Sequence, residues 1–111
     1  MIESTCECGA VRVEVETAPQ TVGDCNCSIC RRYGALWAYY PAAQVHVSGA
    51  TTIYLRGDRI VEFHHCAVCR CLTHWSAADK SFVDKMGVNA RLMAPEVLKA
   101  AKVVPLDGAS M

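Results

Sequence analysis

A chain of 111 residues is long enough for one domain with a modest hydrophobic core and too short for two. A hydrophobic share of 52% excludes a disordered tract, and no apolar run approaches the ~20 residues of a bilayer-spanning helix. Eleven basic residues balance eleven acidic ones, so the clustered basic excess of a nucleic-acid binder is missing, and neither a nucleic acid nor a membrane is expected as partner.

The opening "MIESTCECGA" carries no basic segment leading into an apolar stretch, so no secretory leader is read there and a cytoplasmic location is expected. "AVRVEVE" (Ala10–Glu16) alternates apolar and charged residues with the period of a half-buried strand. "TAPQTVGD" reads as a loop that ends at a cysteine cluster, and "ALWAYY" (Ala35–Tyr40) as a buried aromatic strand stopped by Pro41. "QVHVSG", "TTIYLRG" and "RIVEFHHC" read as three further strands, punctuated by Gly49 and a turn at Gly57–Asp58. "GVNARLM" reads as another strand. "APEVLKAAK" is the one clear helix, with Pro95 and Glu96 suited to its first turn and Lys99 and Lys102 to its other end. The fold class expected is therefore mainly β, a single domain over residues 1–111 built of small sheets with one or two short helices. Strands this short enclose little apolar volume, so a metal crosslink would add stability that packing lacks.

Eight cysteines in a chain without a leader point to metal ligation rather than disulfides, because cytosol keeps thiols reduced. Cys6 and Cys8 are two apart, which on extended backbone turns both sulfurs to one side, and Gly9 lets the chain bend beside them. Cys66 and Cys69 form a C-x-x-C knuckle. The two pairs make up a four-thiolate structural zinc site that clamps the start of the chain to its middle. Cys25, Cys27 and Cys30 combine C-x-C with C-x-x-C in six residues. Three ligands from one short segment leave a tetrahedral zinc with one free position, as in a catalytic centre, unless a histidine or Cys71 closes it. Cys71 reads as a small buried thiol, or as a replacement for Cys66, since "CRC" mirrors "CEC". His64, His65 and His74 lack ligand spacing to the first cluster, and His46 alternates within its strand. An iron–sulfur cluster is the rival chemistry, although its familiar cysteine runs are longer and more regular than "CNCSIC".

In order, "CECGAVRVEV", "CNCSICRRYGAL", "FHHCAVCRCLTHW" and "GVNARL" resemble the motifs of the glutathione-dependent formaldehyde-activating enzyme family, which includes centromere protein V relatives. The resemblance spans nearly the whole chain. It implies a β-tent of small zinc-stapled sheets and two zinc ions per chain. A structural zinc would sit on Cys6, Cys8, Cys66 and Cys69, and a zinc associated with activity on Cys25, Cys27 and Cys30. The implied activity is a carbon–sulfur lyase reaction, the condensation of glutathione with formaldehyde. One position departs from the pattern: Arg70 follows Cys69 where the family usually has glycine, and a left-handed backbone there would cost an arginine roughly 1 kcal/mol.

A zinc cation favours the thiolate of a bound thiol, and three protein thiolates outweigh its charge by one, so such a centre suits thiol chemistry better than hydrolysis. Glutathione carries two carboxylates, for which Arg31, Arg32 and Arg91 are the candidate binding cations. Tyr33, Tyr39 and Tyr40 are candidate proton donors, Trp37 and Trp75 candidate walls, and Asn89 a candidate hydrogen-bonding group. The expected substrates are therefore a small thiol and a small aldehyde. The alternative is a non-catalytic zinc module whose second metal is closed and whose surface binds another protein.

Overall fold

The computed structural model describes residues 1–56, 59–79 and 84–110. The expected turn at Gly57–Asp58 lies outside the described residues. Among the described residues ten strands appear in chain order: β1 (Ile2–Thr5), β2 (Arg12–Val15), β3 (Thr21–Cys25), β4 (Trp37–Pro41), β5 (Val45–Ser48), β6 (Thr51–Leu55), β7 (Val61–Cys66), β8 (Leu72–Ala77), β9 (Lys85–Asn89) and β10 (Lys102–Leu106). Two short helices, α1 (Cys30–Tyr33) and α2 (Pro95–Ala100), interrupt them. The protein is mainly β, and among the described residues no helix is long and apolar enough to cross a membrane.

The strands form a three-stranded sheet ordered β1-β2-β5 and a seven-stranded sheet ordered β10-β3-β4-β9-β8-β7-β6. All pairings are antiparallel except β10 with β3. The alternation read in "AVRVEVE" does the expected work: Val13 and Val15 are fully buried, while Arg12 at the start of β2 is exposed, its Nε 3.4 Å from the Glu3 carboxylate. One apolar cluster joins Val13, Val15 and Val45 of the small sheet to Ala38, Tyr40 and Val88 of the large one. The opposite face of the large sheet carries a second cluster around Trp37 and Phe63, together with Cys27, Cys30 and Ala35. Period-two alternation separates the two: Trp37 and Phe63 face one way, Ala38 and His64 the other.

Several elements depart from the sequence expectation. "TAPQTVGD" is not all loop, because Thr21 onward forms β3, where Val22 is buried and Lys102–Leu106 pair with it in parallel. β4 begins at Trp37 rather than Ala35, and Pro41 is its last residue, paired with Lys85. "GVNARLM" is a strand only to Asn89; Ala90–Leu92 turn into a 3-10 helix that the Asn89 side chain caps, accepting from the Arg91 backbone N–H at 3.2 Å. The helix read over "APEVLKAAK" closes at Ala100, and Lys102 belongs to β10. Pro95 and Glu96 do stand in its first turn.

Candidate metal centre

The first cysteine group is built by two bends that face each other across 58 residues of sequence. After β1 the chain turns tightly, with the Gly9 N–H donating to the Cys6 carbonyl at 3.1 Å and Gly9 at φ +80°, a conformation open to glycine at little cost. After β7 a second bend closes with the Arg70 N–H donating to the Cys66 carbonyl at 3.0 Å. The Cys6 and Cys8 sulfurs are 3.6 Å apart, as are those of Cys8 and Cys66, and all four sulfurs including Cys69 lie within 4.8 Å of one another. Ligands of a tetrahedral zinc–sulfur centre are separated by about 3.8 Å, so the spacing fits such an ion.

Backbone dipoles converge on the same sulfurs. The Val11 N–H donates to Cys6 Sγ at 3.3 Å, and the Val68 and Cys69 N–H groups donate to Cys66 Sγ, each at 3.4 Å. N–H groups of Cys71 and Cys8 point at the Cys69 sulfur and hold its thiol down at about 6. Donors aimed at sulfur favour the anionic form that ligates metal. Cys71 thus supports the group through its backbone, and its own side chain is outside the set of four.

Arg70 occupies the left-handed conformation, at φ +69°. The bend therefore keeps the geometry a glycine would supply, and the arginine carries the strain. Arg70→Gly is expected to stabilise the protein by about 0.5–1 kcal/mol, read as a rise of a few degrees in the thermal midpoint at fixed metal content.

Cys25, Cys27 and Cys30 form the second group, with their sulfurs also within 4.8 Å of one another. Cys25 is the last residue of β3, and Cys30 opens α1. From Cys27 into α1 the chain winds into a turn in which the Arg31 and Tyr33 N–H groups donate to the Cys27 and Ile29 carbonyls, bringing Cys27 and Cys30 to one side. Among the described residues no fourth cysteine, histidine, aspartate or glutamate brings a ligand atom into this group. His64 and His74 lie on the other face of the sheet, and His65 packs on Tyr33 with ring centroids 5.6 Å apart.

Cys27 and Cys30 differ in acidity. Burial pushes Cys30 up to about 12, against the pull of the Trp37 indole. Burial also works upward on Cys27, but the N–H groups of Cys30 and Ile29 and the neighbouring thiols bring it down to about 7. Trp37 Nε1 is fully buried and has no hydrogen-bond partner of ordinary geometry; the group its dipole acts on is the Cys30 sulfur, whose anionic form it favours. A cation held among the three sulfurs would favour their thiolate forms and give that indole an anionic neighbour, so the donor set fits a soft divalent metal.

These sulfurs line a cleft of about 390 Å³, walled by Trp37, Phe63 and Trp75 with Tyr39 beside them. Trp75 packs directly over Gly87 on β9, and Tyr39 lies 6.1 Å from Trp75, ring centroid to centroid. On one side the C-terminal segment closes in. Gly108 lies so near that a Cβ there would come within 2.5 Å of Cys25 Sγ, and Asn26 ties the segment down, donating to Asp107 Oδ1 at 3.1 Å and accepting from the Ala109 N–H at 2.9 Å. On the other side stands Arg56, at the end of β6. Its Nη1 is 3.9 Å from Cys27 Sγ and its Nη2 donates to Ser28 Oγ at 3.3 Å. Arg56 also lines an adjoining cavity of about 680 Å³ with Arg32, Tyr33 and Tyr54.

Of the candidate cations, Arg32 lines that adjoining cavity while donating to the Ser28 carbonyl at 2.7 Å. Arg31 is exposed on α1 and lines neither cavity. Arg91 braces the end of α1, its Nε donating to the Gly34 carbonyl at 2.6 Å, and is not part of the cleft. Tyr40 turns to the other face and donates to the Thr17 carbonyl at 2.8 Å; Asn89 donates to the Leu72 carbonyl at 2.9 Å and serves the backbone. Arg56 is the cation that sequence reasoning missed. It stood in "YLRGD", which reads as a strand end running into a turn, and nothing local ties it to a cysteine 29 positions earlier.

The family model described as "Glutathione-dependent formaldehyde-activating enzyme" matches residues 1–103. The crystal structure of a Rhodobacter sphaeroides protein is similar to this chain at a TM-score of 0.74 and 32% sequence identity, covering 92% of this chain and 99% of that one. No curated protein matches the chain.

Proposed function

Because the chain belongs to the glutathione-dependent formaldehyde-activating enzyme family, we propose that it is a zinc-dependent carbon–sulfur lyase that joins a small thiol, glutathione above all, to formaldehyde or a similar aldehyde. The observation that carries this reading is the second cysteine group: three sulfurs without a fourth ligand among the described residues, opening onto an aromatic cleft. Zinc held by Cys25, Cys27 and Cys30 would supply a cation that keeps a substrate thiol deprotonated at neutral pH.

The surrounding residues supply the rest of the chemistry. Trp37, Phe63 and Trp75 make a wall that excludes water from the reacting atoms and suits a small uncharged aldehyde. Arg56 meets the carboxylates of the thiol substrate, with Arg32 farther along the adjoining cavity. The substrate sulfur gives its electron pair to the aldehyde carbon, the carbonyl π pair moves to oxygen, and that oxygen takes one proton to become the hydroxyl of a hemithioacetal. Tyr39 is the donor at hand. Burial, and then the nearby sulfurs, push its phenol up to about 12, so it is protonated at neutral pH and matched to an alkoxide. Its edge is open to solvent, from which the proton is replaced.

The test is the rate of S-hydroxymethylglutathione formation followed by exchange NMR at equilibrium. Acceleration over the protein-free reaction is expected; equal rates with and without the metal-loaded protein would remove this reaction and leave the non-catalytic module. Arg56→Ala is expected to raise KM for glutathione roughly tenfold, as for loss of one partly exposed charge-assisted contact, while leaving KM for the uncharged thiol 2-mercaptoethanol within about twofold.

A further inference from the structure

His74 and Trp75 are neighbours in β8 and therefore face opposite sides of the large sheet. Trp75 walls the cysteine cleft. His74 lines a different cavity, about 370 Å³, on the far face, where β5 of the small sheet overhangs β7 and β8. Val45, Val47 and Met86 give it apolar sides, and His64, His74 and Ser76 its polar groups.

Hydrogen bonding fixes the form of the His74 ring. The Thr73 hydroxyl has one proton and donates it to the His64 carbonyl at 3.2 Å. Its 2.8 Å contact with His74 Nδ1 must then be donated by the ring. A neutral imidazole with its proton on Nδ1 leaves Nε2 as a bare acceptor. Burial, and secondarily His64, push this ring down to about 3, so it is neutral in ordinary buffers. His64 has partners on both nitrogens, Thr51 Oγ1 at 2.9 Å and Ser76 Oγ at 2.8 Å. Nothing among the described residues donates to His74 Nε2, although the residue is only 2% exposed. The atom is not sealed from solvent, so water can meet this acceptor, and a ligand hydroxyl that replaces the water keeps the hydrogen bond while its carbon body leaves solvent.

Charge narrows the ligand class. Lys85 borders the cavity through its backbone, but its Nζ sits 5.3 Å over the Tyr39 ring on the opposite face. Asp84 at the rim, and Glu62 beside His64 at 3.8 Å, disfavour an anion. A cation seated against His74 would lie between apolar walls and a neutral ring, with Asp84 as the one carboxylate of the lining and Glu62 outside it, so its lost hydration is poorly offset.

We propose that this cavity is a second binding site, separate from the cysteine cleft, for a small uncharged hydroxyl compound such as a phenol or alcohol, its O–H donating to His74 Nε2 and its carbon body lying on Val45, Val47 and Met86. Phenol and anisole are suitable probes, since they share a ring and differ in the donor. Titrated into the metal-loaded protein with the histidine nitrogens followed by NMR, phenol is expected to saturate and to shift the His74 Nε2 resonance. Anisole is expected to bind at least roughly tenfold more weakly, the equivalent of about 1.4 kcal/mol. Equal affinity for the two probes, no saturation by phenol, or saturation with the His74 Nε2 signal unmoved would each overturn the proposal, the last two leaving the nitrogen to water.

Discussion

Cys66→Ala is expected to abolish the cooperative native state. The Cys66 side chain is fully buried, it accepts two backbone N–H groups, and its sulfur stands 3.6 Å from that of Cys8 across the two bends. Structural zinc sites of this type contribute about 10–16 kcal/mol of apparent binding free energy in small domains, against a total stability of about 5–15 kcal/mol. Most of that contribution depends on a complete set of four ligands. Removing one leaves three thiols that a metal must hold with a water as fourth ligand, and two N–H donors facing a methyl group. The measurement is urea unfolding followed by circular dichroism, with bound zinc counted in parallel. A cooperative transition whose midpoint lies within about 0.5 M of wild type would show that packing alone carries the fold.

Cys27→Ala is expected to do the reverse, removing function and sparing structure. Cys27 is buried in the lining of a cleft on one face of the large sheet, outside the cluster that joins the two sheets. Two thiols from one turn hold zinc poorly, so bound metal is expected to fall by one ion per chain. Loss of a metal-supplied cation is worth several kcal/mol in a transition state, so condensation should drop on the order of a hundredfold or more, towards the protein-free rate. The thermal midpoint should move by only a few degrees. A variant that keeps both ions and its rate would detach the activity from this group.

The cysteine groups were legible because ligation imposes a spacing on the chain that survives without any knowledge of the fold. C-x-C and C-x-x-C place two sulfurs within reach of one ion by local geometry, and the structure gathers Cys6, Cys8, Cys66 and Cys69 in one group and Cys25, Cys27 and Cys30 in another. Alternation made β2 equally plain. Where long-range pairing decides the matter, local signals failed. β3 looks like a loop because Pro19, Gly23 and Asp24 are poor strand formers, yet it is held by β10, whose Val103 and Val104 are far along the chain. α1 is a single turn, too short to show a helical period. Arg56 came to Cys27 through the pairing of β6 with β7, and Arg91 went to the Gly34 carbonyl through the 3-10 turn after β9. An arginine next to a cysteine in sequence, such as Arg31, need not be next to it in space.

The parallel pairing of β10 with β3 has a consequence for biosynthesis. It joins Lys102 to Thr21, and it delivers Gly108 to the side of Cys25. At about 5–20 residues per second, a ribosome releases Cys25, Cys27 and Cys30 some 4–15 s before the strand that completes their surroundings. The four-thiolate group is complete as soon as Cys69 emerges. Any metal loading on the nascent chain would therefore be ordered in time: the four-thiolate group can assemble during translation, whereas the cleft acquires its final wall only when β10 docks. Until then the three thiols lack the neighbour that Gly108 supplies beside Cys25.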